Sequence, residues 1–340
     1  MITIKDVALR AKVSISTVSY VLSGKRPISE KTKARILTVM EEIGYQPNAI
    51  AQGLARGKTG IIALLMSSTK RDLGKTELEF VNGAAAAAHE AGYHLVLWTD
   101  PVETPSKLES MGQRGMAEGV LLMEVTMHDW RAEVLTRLGI PCAMIGRPSN
   151  SEGYAWVDID FEATVACALD ALESAGHRQL VLINQSRKTF DQGYGPAVRI
   201  QESFMHQCAK RGLSGMTVFC ESEAKAGLDT VRLILKGKPK PTALLTMNDP
   251  ALSGIMHGIR EAGLAVPEDI SVLALLSSPA VADCYWPPLS TMDVPGAELG
   301  RLGITRLVHQ IEAEGSPPES ATMLPCTLSL RGTTAQRKKS

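Results

Sequence analysis

No stretch of this 340-residue sequence is apolar for long enough to cross a bilayer. The chain opens on a polar helical pattern and not on a leader, so a cytosolic setting is expected. Cysteine is scarce: the six, at positions 142, 167, 208, 220, 284 and 326, form no Cys-x-x-Cys pair and none neighbours a histidine at zinc spacing. Buried, reduced thiols and no metal site are expected. No nucleophile, base and orienting group can be assembled, so neither an enzyme nor a cofactor is expected. Residues 53–59 imitate a phosphate-binding loop, but they are one residue short between the glycines and precede a strand instead of following one. Ser67 and Lys70 have a Ser-x-x-Lys spacing with no companion motif. The chain also lacks net charge, with 36 Lys/Arg against 36 Asp/Glu.

That balance conceals an asymmetry. Residues 1–60 hold ten Lys/Arg and four Asp/Glu, a net of +6, so residues 61–340 net −6. A basic head on an acidic body is an electrostatic footprint for phosphate. Within the head, Thr3 and Asp6 have capping-box spacing, and Ile4, Val7, Ala8 and Ala11 recur at helical period. Ser14 caps a second helix from Ile15, with Val18, Val21 and Leu22 inward and Ile15, Ser16, Thr17, Ser19 and Tyr20 on or near the outer face. A third helix over 30–43 is expected to offer Ala34, Leu37, Val39, Met40 and Ile43 to the core, with Gly44 ending it. Two short helices joined by a tight turn form the geometry that lays its second helix in the major groove of DNA.

The head resembles the DNA-binding headpiece of the LacI/GalR (lactose-repressor) family of bacterial transcription regulators. The matching residues are Thr3-Ile4-Lys5-Asp6-Val7-Ala8, Val13-Ser14, Thr17-Val18-Ser19, Ser29 with Thr32, and Gly44-Tyr45-x-Pro47-Asn48 with Ala51 and Leu54. Further matches, to the family's effector-binding core, run through Pro241-Thr242-Ala243, Asn248-Asp249, 266–272, 287–291 and 298–301, up to Leu330-Arg331-Gly332. The resemblance implies a sequence-specific regulator, a repressor by expectation, that binds a pseudo-palindromic operator in double-stranded DNA as a homodimer and answers to a small-molecule effector. It implies DNA contacts from Thr3, Ser14, Ile15, Ser16, Thr17, Ser19, Tyr20, Ser29 and Thr32. It also implies contacts from a hinge helix near 49–56 carrying Asn48, Ala51, Gln52 and Leu54, the last as a minor-groove wedge.

From Gly60 onward, short apolar runs alternate with helical patterns, in two consecutive sets. This predicts two doubly wound lobes with parallel sheets covered on both faces. The expected fold is α/β: an N-terminal all-α helix-turn-helix headpiece plus two lobes of periplasmic-binding-protein type. The expected limits are 1–46 for the headpiece and 47–60 for hinge and linker. The first lobe is 61–157 with 291–320, the second 158–290 with 321–332, and 333–340 forms a basic tail. The tail lacks the apolar heptads of a tetramerising helix. The dimer face is expected on Val81, Ala84, Ala85 and Ala88 and on Leu252, Ile255 and Ile259.

Ligands in such sheets bind beyond the carboxyl ends of the strands. The candidate effector residues are Ser67, Glu124, Arg147, Arg199, Asn248 and Ser277. The family's usual ligand clamp is only partly kept. Where relatives place an Asp after the strand at 272–275, this chain has Leu276 and Ser277. A frequent aromatic is Ser222, and Arg199 lies five residues before Phe204, not four. Losing a carboxylate that pairs sugar hydroxyls weakens the case for a simple sugar, and two arginines in the cleft would favour an anionic metabolite. The effector class is therefore a sugar or an anionic metabolite.

Overall fold

A computed structural model of the chain describes residues 2–23, 26–45, 59–66, 73–99, 102–312 and 321–337. The chain separates into two compact units, a head formed by residues 1–61 with 114–118 and a body formed by the rest. Each has its own core.

The head contains α1 (Ile4–Arg10), α2 (Ile15–Ser23) and α3 (Glu30–Glu42). Thr3 donates to Asp6 Oδ2 through both its backbone N–H and its hydroxyl, at 2.8 Å each. The bond from the Thr3 backbone is the main reason the Asp6 carboxyl lies below its usual range. Lys12 adopts φ +51° in the turn between α1 and α2. Val7, Ala8, Ala11, Val18, Ile36 and Met40 form the buried centre, with Val21, Leu22, Val39 and Ile43 packed on it. Ala34 and Leu37, expected in this core, are exposed. The inward face of α3 is the 36, 40, 43 ridge, and 34 and 37 fall on the opposite side of the turn.

The body holds two six-stranded sheets of the same design. Its strands are β1 (Ile61–Leu65), β2 (His94–Trp98), β3 (Gly119–Leu122), β4 (Cys142–Ile145), β5 (Ala155–Ile159), β6 (Gln179–Asn184), β7 (Ser214–Phe219), β8 (Ala243–Thr246), β9 (Ser271–Ser277), β10 (Ser290–Asp293), β11 (Thr322–Leu324) and β12 (Thr327–Ser329). The first sheet runs β11-β5-β4-β3-β1-β2 and the second β12-β10-β9-β8-β6-β7. Every register resolved in them is parallel except that of β12 on β10. In each sheet the strand order reverses beside the first strand, between β1 and β3 and between β6 and β8.

Helices cover both faces. They are α4 (Lys75–Glu90), α5 (Pro105–Gln113), α6 (Trp130–Arg137), α7 (Phe161–Ser174), α8 (Arg187–Asp191), α9 (Gly195–Arg211), α10 (Ala224–Lys236), α11 (Leu252–Glu261), α12 (Pro279–Ala282) and α13 (Gly296–Glu312). Two helix pairs touch backbone to backbone. A Cβ on Gly83 of α4 would meet the carbonyl of Ala297 at 2.0 Å, and one on Gly300 of α13 that of Phe80 at 2.2 Å. A Cβ on Gly227 of α10 would meet the Ala251 carbonyl at 2.2 Å.

Several expectations need correction. The second and third returns between lobes were placed at about 290 and 321. β10 lies in the second sheet and β11 in the first, so the chain changes sheet after Asp293 and again between Leu324 and Thr327. β5, β10 and β11 escaped the sequence reading because each is short and carries polar residues. The tail expected from 333 is built into the second lobe. Thr333 exchanges backbone and side-chain bonds with Val272 and accepts the Ser290 N–H, and Ala335 and Arg337 bond Ser271 and Ala175. His177, its imidazole pKa lowered by burial, contacts the Ala335 carbonyl at 3.1 Å. Of the residues expected at a dimer face, Ala84, Ala88, Leu252, Ile255 and Ile259 are buried inside the body, whereas Val81 is half-buried and Ala85 exposed. Large exposed apolar side chains on the first lobe include Leu78, Val96 and Met323. Of the cysteines, Cys142, Cys208, Cys220 and Cys326 are buried, but Cys284 is exposed.

Candidate DNA-binding head and interlobe cleft

In the head, Ser14 is a hydroxyl hub. It accepts the Thr17 N–H at 3.1 Å and lies 2.8 Å from the hydroxyls of both Ser16 and Thr17. This fixes the first turn of α2, where Ile15 and Ser16 are exposed. Ser19 and Tyr20 are half-buried, and the Arg26 guanidinium stands 5.1 Å from the centre of the Tyr20 ring. Ser29 opens α3, its hydroxyl 2.9 Å from that of Thr32. Lys5, Arg10, Lys12, Arg26, Lys31, Lys33 and Arg35 are all exposed. The surface therefore combines exposed cations with one ordered helix start, which can meet both phosphates and base edges. Asn48, Ala51, Gln52 and Leu54 lie outside the described residues.

In the body, a cavity of about 360 Å³ opens between the lobes. One wall is the start of α4, with Lys75 and Glu77. The other comes from the second sheet at its β6/β8 reversal, with Gln185, Met247 and Asp249, and beyond it Ser222, Leu276 and Tyr285. Gln185 closes that reversal point by donating to the Met247 carbonyl at 2.8 Å and accepting from Ser222 at 2.9 Å. A smaller cavity of about 100 Å³ adjoins it, sharing Glu77 and Leu276 and reaching Glu124 and Asp158 at the ends of the first sheet. Glu124 and Leu276 have φ of +53° and +51°, a costly conformation for residues with side chains.

The lobes are latched across the cleft by one carboxylate. Asp249 Oδ2 accepts from Thr76 of α4 at 3.0 Å and from Ser277 at 3.1 Å, and Thr76 also donates to Ser278 at 3.3 Å. The other oxygen, Oδ1, is buried and has no hydrogen-bond partner among the described residues. Burial raises the Asp249 carboxyl to about 6, against the opposing hydrogen bonds from Thr76 and Ser277, with Glu77 adding to the rise.

Of the expected effector residues, Glu124 lines the smaller cavity and Ser277 stands behind Asp249. Asn248 does not line either cavity. It is fully buried and donates to the Cys220 carbonyl at 2.9 Å, tying the end of β8 to that of β7 across the intervening β6. Arg147 and Arg199, expected to face the cleft, instead line a separate open groove of about 460 Å³ with His206 and Met323. Arg147 pairs with Asp158 at 3.1 Å and stacks 5.1 Å from the Trp156 ring. Arg199 donates to the Arg147 carbonyl at 2.8 Å. Burial raises Asp158 to about 6 despite both arginines. The two guanidiniums are drawn to this buried carboxylate and these carbonyls, away from the cleft. Ser67 lies outside the described residues. Lys75 and Glu77 were missed, and Gln185 and Asp249, which follow strand ends at the cleft, stood outside the candidate effector set. The signal for Asp249 was present: it ends a strand beside the position where the usual carboxylate has become Leu276-Ser277.

A family model described as bacterial regulatory proteins, lacI family, matches residues 3–48, and one described as a periplasmic binding protein-like domain matches residues 169–334. The chain belongs to the LacI/GalR family. Members of this family are DNA-binding transcriptional repressors and not enzymes. The ribose operon repressor of Escherichia coli (strain K12) is 29% identical over 327 residues, covering 92% of this chain and 93% of that protein. Catabolite control protein A of Staphylococcus aureus (strain Mu50) is 26% identical over 340 residues, covering 98% and 99%. Among solved structures, the lac repressor dimer bound to operator and the anti-inducer ONPF aligns with a TM-score of 0.82 at 23% identity, covering 98% of this chain and 99% of that one. A complex of the transcriptional regulator CelR with cellobiose aligns at 0.72 with 25% identity, covering 98% and 100%. The LacI-type fold thus spans the head and both lobes, and among the described residues no helix is long and apolar enough to cross a membrane.

Proposed function

We propose that this LacI-family protein is a cytosolic repressor that binds a pseudo-palindromic operator as a homodimer and is controlled by a small molecule held in the interlobe cleft. The observation that carries the reading is the pairing of an ordered, exposed α2 start with a cavity latched across two lobes. Ile15, Ser16 and Tyr20 read bases. Ile15 favours a thymine methyl, and Tyr20 offers one hydroxyl where an arginine would grip guanine twice. Thr3, Ser14, Thr17, Ser19, Ser29 and Thr32 fix the head on the backbone. Residues 47–60, with Asn48, Ala51, Gln52 and Leu54, act as hinge and linker, and Leu54 wedges the minor groove. The lobes close about the ligand and pass this to the head, to the extent that the ligand prefers one state.

The test is selection of binding sites from a randomised duplex pool with the full-length protein, at two salt concentrations. A symmetric enriched site with affinity falling steeply in salt is expected. Tyr20→Arg should change the preferred base at one position per half-site. Failure to enrich any symmetric site would defeat the reading.

A further inference from the structure

The segment between α2 and α3 carries an arginine whose side chain has a defined resting place. Arg26 is exposed, yet its guanidinium stands over the Tyr20 ring, 5.1 Å from the ring centre. That is within cation–π range, and a guanidinium is weakly hydrated for a cation, so it loses little by settling on a ring. The backbone favours the placement. Pro27 follows Arg26 and disfavours helical geometry at residue 26. Ser29 then opens α3 by accepting the Thr32 N–H. Tyr20 is anchored in turn: it is half-buried, on a helix whose first turn is fixed by the Ser14 hydroxyl. Ser16 and Tyr20 lie four residues apart on α2 and so share one face. The Tyr20 ring thus extends that face from the exposed Ser16 hydroxyl to an exposed guanidinium.

We propose that Arg26 is a base-reading residue of this protein, held on the Tyr20 ring so that its guanidinium grips one guanine in each half-site. The inference rests on the proposed operator binding and adds a contact to it. The ring takes a face of the guanidinium and leaves N–H groups at its edge, a fork that matches guanine O6 and N7 in the major groove. Tyr20 offers a single hydroxyl, and Arg26 supplies the double grip that position 20 lacks. A free arginine gives up rotamer freedom when it binds a base, and one already resting on a ring gives up less. The competing contact is a phosphate, which accepts any cation and carries no sequence information. Lysine separates the two roles, because it keeps the charge and has no fork.

The experiment uses the full-length protein, the duplex site it selects, single-base-pair variants of that site and a random-sequence duplex. Affinities are read by fluorescence anisotropy at fixed salt. In the wild type, exchanging one symmetric guanine for adenine should cost about tenfold or more in affinity. In Arg26→Lys that preference should fall to about threefold or less, while preferences at other positions and the salt dependence on the random duplex stay as they were. Tyr20→Phe keeps the ring and should keep the guanine preference, whereas Tyr20→Leu should lose it although Arg26 remains. Arg26→Lys carries the test alone if Tyr20→Leu does not fold. Retention of the guanine preference in Arg26→Lys would overturn the inference. So would a uniform weakening of that variant across all positions, or a folded Tyr20→Leu protein that reads the guanine as the wild type does. In each of those cases a selected symmetric site leaves the regulator reading standing and removes only the role of Arg26. A protein that selects no site removes the regulator reading and this inference with it.

Discussion

Asp249 is held where a carboxylate is poorly solvated, and this has a thermodynamic sign. Its folded pKa of about 6 lies above its ordinary value of 3.8. The contribution to stability is therefore fully present below about pH 4 and is lost as pH rises through about 6. Asp249→Asn keeps an acceptor for Thr76 and Ser277 without the charge. We expect the variant to exceed the wild type by roughly 1–3 kcal/mol at pH 7, with the gap closing by pH 4. Urea denaturation across that range measures it, and a variant weaker than wild type at pH 7 would contradict the burial argument. Lys12 offers a second residue-scale case. Its φ of +51° costs about 1 kcal/mol or more for a residue with a side chain. Lys12→Gly should stabilise the head slightly, yet lower non-specific DNA affinity and flatten its salt dependence by about one counterion. Melting curves and salt titrations separate the two effects.

At the scale of elements, glycine sets the spacing between packed helices. A Cβ on Gly254 of α11 would stand 1.6 Å from the Ala224 carbonyl, which belongs to α10. Backbone cannot yield as a flexible side chain can. Gly254→Ala should therefore cost about 1–3 kcal/mol or more, while Gly263→Ala, a turn glycine with nothing near its Cβ, tests only the cost of its φ. Chemical denaturation of both variants distinguishes crowding from backbone strain.

The sequence showed these helices through their apolar period, and it showed the buried strands through unbroken runs such as Ile61–Leu65. Helix starts were harder. α4, α9 and α10 begin three or four residues earlier than the apolar pattern, because their first turns are polar or rich in small residues and lie at the cleft. The cleft residues Lys75 and Glu77 were lost for that reason. Arg147 and Arg199 misled in the opposite way: sequence gives the charge of an arginine but not the buried Asp158 that claims it.

At the scale of the whole molecule, the expected assembly is a dimer. Leu78 and Val96, two of the large exposed apolar positions on the first lobe, replace the buried alanines as the side chains to test. Leu78→Glu with Val96→Glu should shift sedimentation toward a monomer and weaken binding to a two-half-site duplex far more than to a single half-site. An unchanged dimer would place the interface elsewhere. The C-terminal segment reports on the body instead. Removing residues from 321 onward deletes β11, β12 and the bonds of Thr333, Ala335 and Arg337 together. Calorimetry should show both lobes losing their cooperative transition, not one.

Between β11 in the first sheet and β12 in the second lie only Pro325 and Cys326, and Cys326 is tied by its N–H to the Thr164 hydroxyl of α7 at 3.0 Å. This two-residue stitch limits how such a gene can be recombined. One junction near residue 60 exchanges a head for another and leaves the body whole. No single junction within the body moves one lobe without carrying strands of the other, and transplanting the second lobe alone requires three. On the proposed function, operator specificity can thus be inherited separately from effector specificity, whereas the two walls of the interlobe cleft travel together.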